Sequence, residues 1–132
     1  MNTMTAVTKN PGIAAWEQRF ATADYLFGTA PNAFLRLQQP LLQAGQTALA
    51  VADGEGRNGV WLAQQGLRVT SVEGSANALK KARALAQSAG VDVNWIEADL
   101  LTWSWPVAAY DVVAAIFIQF LDPAQRKQVF AA

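Results

Sequence analysis

The feature that most constrains the fold is the stretch Thr47–Glu73, TALAVADGEGRNGVWLAQQGLRVTSVE. It begins with an unbroken run of small apolar residues, Ala48–Ala52, which is typical of a strand covered on both faces. A glycine-rich turn, Gly54–Gly59, follows, and then a helical segment and a second apolar run. Strand, turn, helix and strand in this order predict a nucleotide-binding βαβ unit.

The residue types in this unit indicate what it binds. Glycines allow the backbone of the turn to come close to a ligand. The helix that begins near Arg57 points unpaired backbone N–H groups at the turn. Glu73 ends the second strand, where a carboxylate can accept hydrogen bonds from both hydroxyls of a ribose. We therefore expect a small-molecule cofactor that contains adenosine.

The composition excludes several classes of function. The 132 residues allow one domain, and 52% of them are apolar, so the chain can build a core. Ten basic and ten acidic residues cancel, which argues against nucleic acid and anionic lipid as partners. Cysteine and histidine are absent, so thiol nucleophiles, imidazole catalysis and the usual zinc sites are not expected. With no signal or membrane-spanning pattern, we predict a cytoplasmic protein.

The first part of the chain predicts a tail, two helices and an aromatic loop. Residues 1–12 are expected to form a flexible tail, and residues 13–132 the folded domain. A helix is predicted from Ile13 to Ala23 and a second through Phe34–Leu37. The loop Asp24–Asn32 between them is rich in aromatic residues. It either forms a lid over the cofactor or simply covers one side of the sheet.

The second part of the chain continues the alternation of helices and strands. The predicted elements are a helix over Ala76–Ala89 capped by Ser75 and Gly90, strands over Val91–Ile96 and Val112–Phe117, and a helix beginning at Asp122-Pro123. We therefore predict an α/β fold, a Rossmann-like parallel sheet with helices on both faces. The basic cluster of Lys80, Lys81 and Arg83 is interpreted as a solvated helix face.

The fourth strand is expected at an edge of the sheet. Its residues, Val112–Phe117, would then offer an unpaired apolar edge, which natural proteins avoid. The chain is therefore either a truncated product or one that pairs this edge with a partner. On this basis we predict a homo-oligomer formed through the edge of the fourth strand.

The glycine spacing alone leaves two cofactor types open. Gly54, Gly56 and Gly59 match the G-x-G-x-x-G pattern of dinucleotide-binding proteins, which favours NAD. Glu55, however, is a carboxylate inside the loop that would have to hold a pyrophosphate. A cofactor with positive charge at that end suits the loop better, and S-adenosyl-L-methionine, with its sulfonium and ammonium groups, is such a cofactor.

Four segments in order resemble a known motif series. VADGEGRNGVWLA, VTSVEGS, EADL and YDVVAAIF look like the motifs of class I S-adenosylmethionine-dependent methyltransferases. Within that superfamily, WEQRF, DYLFGTAPNAFL and GEGRNGVWLA resemble the small bacterial tellurite-resistance and thiopurine methyltransferases. The similarity runs from Trp16 to the C-terminus.

The resemblance implies a set of cofactor-binding residues, namely Arg19, Asp53, Gly54, Glu55, Gly56, Glu73, Gly74, Ala98, Asp99, Leu100 and Ile116. The turn Asp53–Gly56 is implied to run beneath the methionine part of the cofactor. Glu73 is implied to bind the ribose hydroxyls. Asp99 is implied to accept a hydrogen bond from the adenine amino group, with Ala98 and Leu100 beside the ring.

Two further positions complete the implied site, and two depart from the family pattern. Ile116 is expected near the sulfonium, and Arg19 near the carboxylate of the cofactor. Family members commonly begin the loop with an acidic residue, any residue and then glycine, whereas this chain has Ala50 and Ala52 at the acidic and glycine positions. The family's last three strands are also missing, so the acceptor site is expected to be incomplete.

The resemblance implies methyl transfer to a small-molecule acceptor, which needs positioning and exclusion of water more than a strong base. No catalytic residue is assigned, although Tyr25, Trp103 and Gln119 could reach an acceptor. No metal site is expected. Two alternatives remain open: a fragment of an NAD-linked oxidoreductase, and a non-catalytic truncated domain that self-associates and at most binds the cofactor.

Overall fold

Four short strands form one parallel sheet in the computed structural model, which describes residues 11–99, 101–104 and 109–115. The strands are β1 (Thr47–Val51), β2 (Arg68–Glu73), β3 (Asn94–Glu97) and β4 (Val112–Ala114). The helices are α1 (Pro11–Arg19), α2 (Ala33–Leu37), α3 (Arg57–Gln64) and α4 (Ala76–Ala89), with a 3₁₀ turn over Gln39–Leu41. The strand order is β3-β2-β1-β4, so the predicted parallel α/β fold is confirmed.

The central strand β1 is buried on both faces, as its apolar run predicts. Ala48 and Ala50 pack into a cluster with α2 and α3 residues such as Leu35 and Leu62. Leu49 and Val51 point to the opposite face, because successive side chains of a strand alternate. The residues packed around them on that face come from the strands and from the segments around 98–103 and 110–115.

The ends of α4 match their sequence signals, whereas those of α1 do not. The Ser75 hydroxyl accepts a hydrogen bond from the Ala78 N–H, and Gly90 ends α4 with a left-handed φ of 70°. The helix predicted over Ile13–Ala23 has other bounds, since α1 begins at Pro11 and ends at Arg19, four residues before Ala23. Proline is tolerated in the first turn of a helix because the N–H that it lacks has no partner there.

The last two strands differ from their predicted bounds. β3 begins at Asn94 rather than Val91, and β4 covers Val112–Ala114 without Ala115. Positions 116 and 117 of the predicted fourth strand and the predicted helix at Asp122-Pro123 lie outside the described residues. Within the part of the chain that the structure describes, no helix has the length and apolar character needed to cross a bilayer.

Candidate functional site

The candidate site lies where β1 and β2 end side by side at the carboxyl edge of the sheet. Val51 pairs with Val72, and the Ala52 N–H donates to the Val72 carbonyl at 2.9 Å. The Gly54 N–H then donates to Glu73 Oε1 at 2.8 Å. The glycine turn and the carboxylate that ends β2 are therefore in direct contact.

Glu73 is held from both sides and is almost closed off from water. Its Oε2 accepts a hydrogen bond from the Ser75 N–H at 3.0 Å, and the residue is 9% exposed. Burial raises the pKa of Glu73 above its usual value, while the N–H groups of Gly54 and Ser75 act in the opposite direction. A carboxylate offers about four acceptor positions, so these bonds leave capacity for donors from a ligand.

Asp53 points under the glycine turn and into the fold. Its carboxylate accepts hydrogen bonds from the Gly59 N–H, at 3.2 Å to Oδ2, and from the Ser71 hydroxyl at 3.0 Å. Burial raises the pKa of Asp53 to about 7, against the lowering effect of those two donors. The Asp53 side chain thus joins β1, α3 and β2 beneath the turn.

Ala52 carries the backbone strain of the turn. Its φ is 51°, and it is the only residue other than glycine with a positive φ among the residues that the structure describes. This left-handed conformation costs a residue with a Cβ roughly 1–2 kcal/mol. The position is the one at which the sequence departs from the glycine of the family pattern, and the departure leaves the chain with a strained alanine there.

Glu55 does not present a free charge to a ligand. Its Oε2 lies 2.6 Å from Lys81 Nζ, its Oε1 accepts from the Leu26 N–H at 2.7 Å, and its side chain is 3% exposed. The electrostatic reason for preferring a cationic cofactor was therefore wrong, because Lys81 compensates the negative charge inside the protein. This ion pair also corrects the interpretation of Lys81 as part of a solvated helix face.

The aromatic loop Asp24–Asn32, here called the strap, is held by side chains of the glycine turn and the start of α3. One hydrogen bond is the one that Glu55 accepts from the Leu26 N–H. In addition, Arg57 Nη1 donates to the Ala30 carbonyl at 3.4 Å, and Asn58 Oδ1 accepts from the Asn32 N–H at 2.7 Å. The strap is therefore held to the turn and to the start of α3 at three points, Leu26, Ala30 and Asn32.

The helix α1 and the residue that follows it, Phe20, also approach the site closely. A Cβ on Gly54 would lie 3.5 Å from the ring of Phe20, which is buried. A Cβ on Gly74 would lie 2.7 Å from Ile13 Cδ1, so this glycine is needed for packing. Glu17 Oε1 accepts from the Asn77 N–H at 2.9 Å, which fastens α1 to the start of α4.

The segment after β3 lies next to the end of β2. Glu97 pairs with Glu73 in the sheet, and the Ala98 N–H donates to the Glu73 carbonyl at 3.1 Å. Asp99 follows, half-buried, and its Oδ1 accepts from the Leu101 N–H at 2.9 Å. The structure thus brings the Asp99 position to the strand end adjacent to Glu73. The candidates Leu100 and Ile116 lie outside the described residues.

The remaining candidates lie at the periphery. Arg19 is exposed, with its guanidinium 4.1 Å from the centre of the Trp16 ring. Among the suggested acceptor contacts, the Tyr25 hydroxyl donates to the Lys81 carbonyl at 2.9 Å, and Trp103 packs against the cluster of Leu49, Val51 and Val72. Gln119 lies outside the described residues. No group of metal-ligating side chains occurs in the residues that the structure describes.

Sequence reasoning missed three residues that shape the site: Lys81, Asn58 and Phe20. Lys81 stands in a basic run, and nothing in its spacing distinguishes it from its exposed neighbour Lys80. Asn58 follows Arg57 in the turn motif, which gives a weak signal, since a polar residue in the first turn of a helix is common. Phe20 lies in the segment predicted as a helix over Ile13–Ala23, and its position beside Gly54 depends on tertiary packing.

The parallel sheet has the class I methyltransferase fold, with a glycine turn after β1 and an acid at the end of β2. The sequence profile of the methyltransferase domain family matches residues 48–132, and the chain belongs to that family. A search of curated proteins gave no significant match.

Solved structures agree with this fold. An S-adenosylmethionine-dependent methyltransferase from Thiobacillus denitrificans, in complex with S-adenosylhomocysteine, matches with a TM-score of 0.66 at 20% identity, over 94% of this chain and 51% of that one. A TehB-like methyltransferase from Corynebacterium glutamicum gives 0.63 at 21% identity, over 92% and 65%. The PH0226 protein from Pyrococcus horikoshii gives 0.62 at 28%, over 75% and 46%. The chain thus spans between 46% and 65% of the length of these structures.

Proposed function

We propose that the chain binds S-adenosyl-L-methionine at the carboxyl edge of β1 and β2 and transfers its methyl group to a small-molecule acceptor. The observation that carries this proposal is the 2.8 Å hydrogen bond from the Gly54 N–H to Glu73, which fixes a carboxylate beside a glycine turn. Membership of the methyltransferase domain family indicates the chemistry for which this geometry is used.

The residues present fit such a cofactor. The backbone of Gly54–Gly56 would hold its methionine part, since the side chains of Glu55 and Asp53 are directed to the strap and into the fold. Glu73 retains acceptor capacity for two ribose hydroxyls. Asp99, at the adjacent strand end, would accept a hydrogen bond from the adenine amino group. The candidates Leu100 and Ile116 remain predictions.

The protein's contribution to methyl transfer is positioning. The bound cofactor supplies a methyl carbon that its sulfonium has already activated. With the cofactor bound, the strap and the buried ring of Phe20 would exclude water on one side of the turn, and Glu73 would orient the sugar. A strong base is not required when the acceptor is a thiolate or another soft nucleophile. The resemblance to tellurite-resistance and thiopurine methyltransferases supports an acceptor of that kind.

Calorimetry with S-adenosylhomocysteine and with NADH tests the cofactor. We expect S-adenosylhomocysteine to bind and NADH not to bind. Replacing Glu73 by Gln should weaken binding about tenfold or more, because hydrogen bonds to a charged group contribute roughly 1.5–3 kcal/mol. Glu97→Gln, at the exposed neighbouring position of β3, is the matched control and should bind as the wild type does. Heat from NADH alone would contradict the proposal.

A methyl-transfer assay against thiols and oxyanions separates the enzyme from a binding domain. Transfer to a small thiol supports the full proposal. Binding of S-adenosylhomocysteine without transfer to any acceptor would restrict the function to binding the cofactor, which is the non-catalytic alternative. The charge of Glu55 no longer distinguishes NAD from a sulfonium cofactor, so the family match carries that choice.

A further inference from the structure

Lys81 connects three separate segments of the chain. Its Nζ lies 2.6 Å from Glu55 Oε2 in the glycine turn and 2.6 Å from the Asp24 carbonyl in the strap. Its own backbone carbonyl accepts the Tyr25 hydroxyl at 2.9 Å. The helix α4, the turn and the strap therefore meet at one side chain.

The ion pair between Lys81 and Glu55 is buried, so its geometry has a large effect on the position of the strap and the turn. The side chains of Lys81 and Glu55 are 12% and 3% exposed. An ion pair in water contributes little, whereas a buried charge is costly unless its partner and further hydrogen bonds are in place. Glu55 satisfies this requirement only while Lys81 and the Leu26 N–H both reach it. The pair consequently fixes one arrangement of strap and turn.

The same arrangement reaches the proposed cofactor contacts. Gly54, next to Glu55 in the chain, donates its N–H to Glu73 at 2.8 Å. A displacement of Glu55 would therefore move the donor that holds the Glu73 carboxylate. We propose that Lys81 is a positioning residue of the cofactor site, an inference that rests on the proposed function. Through Glu55 it fixes the strap and sets the shape of the glycine turn that the cofactor contacts.

Amide hydrogen exchange of the strap and calorimetry with S-adenosylhomocysteine test this proposal on the full chain. The main variant is Glu55→Gln/Lys81→Met, because Lys81→Met alone leaves a buried charge without its partner. In the free protein we expect exchange at Leu26 to rise about tenfold or more, and affinity for S-adenosylhomocysteine to fall by roughly the same factor, within the usual range of coupling between sites. Lys81→Arg, which keeps the positive charge, should retain most of the protection at Leu26 and most of the affinity for S-adenosylhomocysteine. Lys80→Met, on the exposed face of α4, should change neither quantity.

The outcomes separate this inference from the proposed function. If the wild type binds S-adenosylhomocysteine and the folded double variant binds within about twofold of it, with unchanged exchange at Leu26, the role of Lys81 is wrong. If the wild type does not bind, the proposed function fails, and the positioning role in a cofactor site fails with it. Should the double variant not fold, Glu55→Gln alone removes the ion pair with Lys81 and keeps an amide oxygen that can accept from the Leu26 N–H. It should weaken binding about fivefold, and unchanged affinity would overturn the inference.

Discussion

Asp53 shows how one residue organises the turn from inside. Its carboxylate is buried, and it accepts hydrogen bonds from the Gly59 N–H and the Ser71 hydroxyl. A Cβ on Gly59 would lie 2.5 Å from Asp53 Oδ2, so the glycine makes room for the carboxyl group. Asp53 therefore acts on the site through the backbone that it supports.

Asp53 should make the stability of the fold depend on pH. Its pKa is raised from 3.8 to about 7 by burial, so between these values the folded state keeps a proton that the unfolded state has lost. The free energy of unfolding should fall as pH rises from about 4 to about 7, by on the order of 4 kcal/mol. Asp53→Asn should remove most of this slope in denaturant titrations at several pH values.

The control for this prediction is Asp92→Asn, which removes a negative charge at an exposed position. Its pH profile should follow that of the wild type. Part of the slope should remain in Asp53→Asn, because burial also raises the pKa of Glu73 in the folded state. An Asp53→Asn profile as steep as that of the wild type would show that another group is responsible.

At the scale of residues, the sequence predicts which residues lie at the site better than it predicts which side chains contact one another. Glu73 and the glycine turn could be predicted to meet because both follow directly from the ends of adjacent parallel strands. The partner of Glu55 could not, since Lys81 is 26 positions away and reaches it only when α4 packs beside the turn. The inward direction of Asp53 likewise depends on space left by Ala50 and Gly59.

At the scale of elements, the packing of α3 against α4 depends on Gly56. This residue precedes α3 with a φ of 90°, and a Cβ there would lie 2.6 Å from Ala82 Cβ and 3.2 Å from Trp95 Cη2. The small side chain of Ala82 in α4 thus allows the backbone of this helix to approach the glycine turn. The contact brings Lys81, next to Ala82, within reach of Glu55.

Gly56→Ala should destabilise the fold more than Gly90→Ala does. Gly90 also has a positive φ, of 70°, but a Cβ there would meet nothing within 4 Å. Gly90→Ala should therefore cost about 1 kcal/mol, the conformational part alone. Gly56→Ala adds overlap with α4 and should cost about 3 kcal/mol or more in urea unfolding. Equal losses in the two variants would contradict the packing described here.

The order of the elements was predictable from the sequence, and some boundaries were not. Ser75 and Gly90 carry local capping chemistry, which acts without the rest of the fold, and both ends of α4 were predicted correctly. The segment Val91–Ile96 contains no local signal for the start of a strand, so where β3 begins depends on its register with Thr70 and Glu73 of β2.

At the scale of the whole molecule, β4 is, with β3 at the other side, one of the two edge strands of the described sheet. It pairs with β1 and with no other strand in the part of the chain that the structure describes, and its Val113 is 39% exposed. Unpaired strand edges are templates for association, and charged residues on an edge prevent it. Pairing between copies of this chain is the form of association that the edge favours.

We expect the wild type to form a dimer in light scattering after gel filtration, and Val113→Lys to shift it to a monomer. The reason is that a lysine on the edge strand opposes pairing with a second copy. Leu41→Lys is the matched control, because Leu41 is an equally apolar surface residue, 72% exposed, outside the sheet. A wild type that stays monomeric, or a Leu41→Lys variant with the same effect, would argue against association through β4.

In the turn between β1 and α3, side chains and backbone have different roles. The strap is hydrogen-bonded by three side chains, those of Glu55, Arg57 and Asn58. The part of the turn available to a ligand is therefore its peptide groups. Substitutions at these three positions would then change the residence time of a bound ligand, while other residues determine which ligand binds. Natural variation in the motif would accordingly be expected to alter residence time before it alters chemical preference.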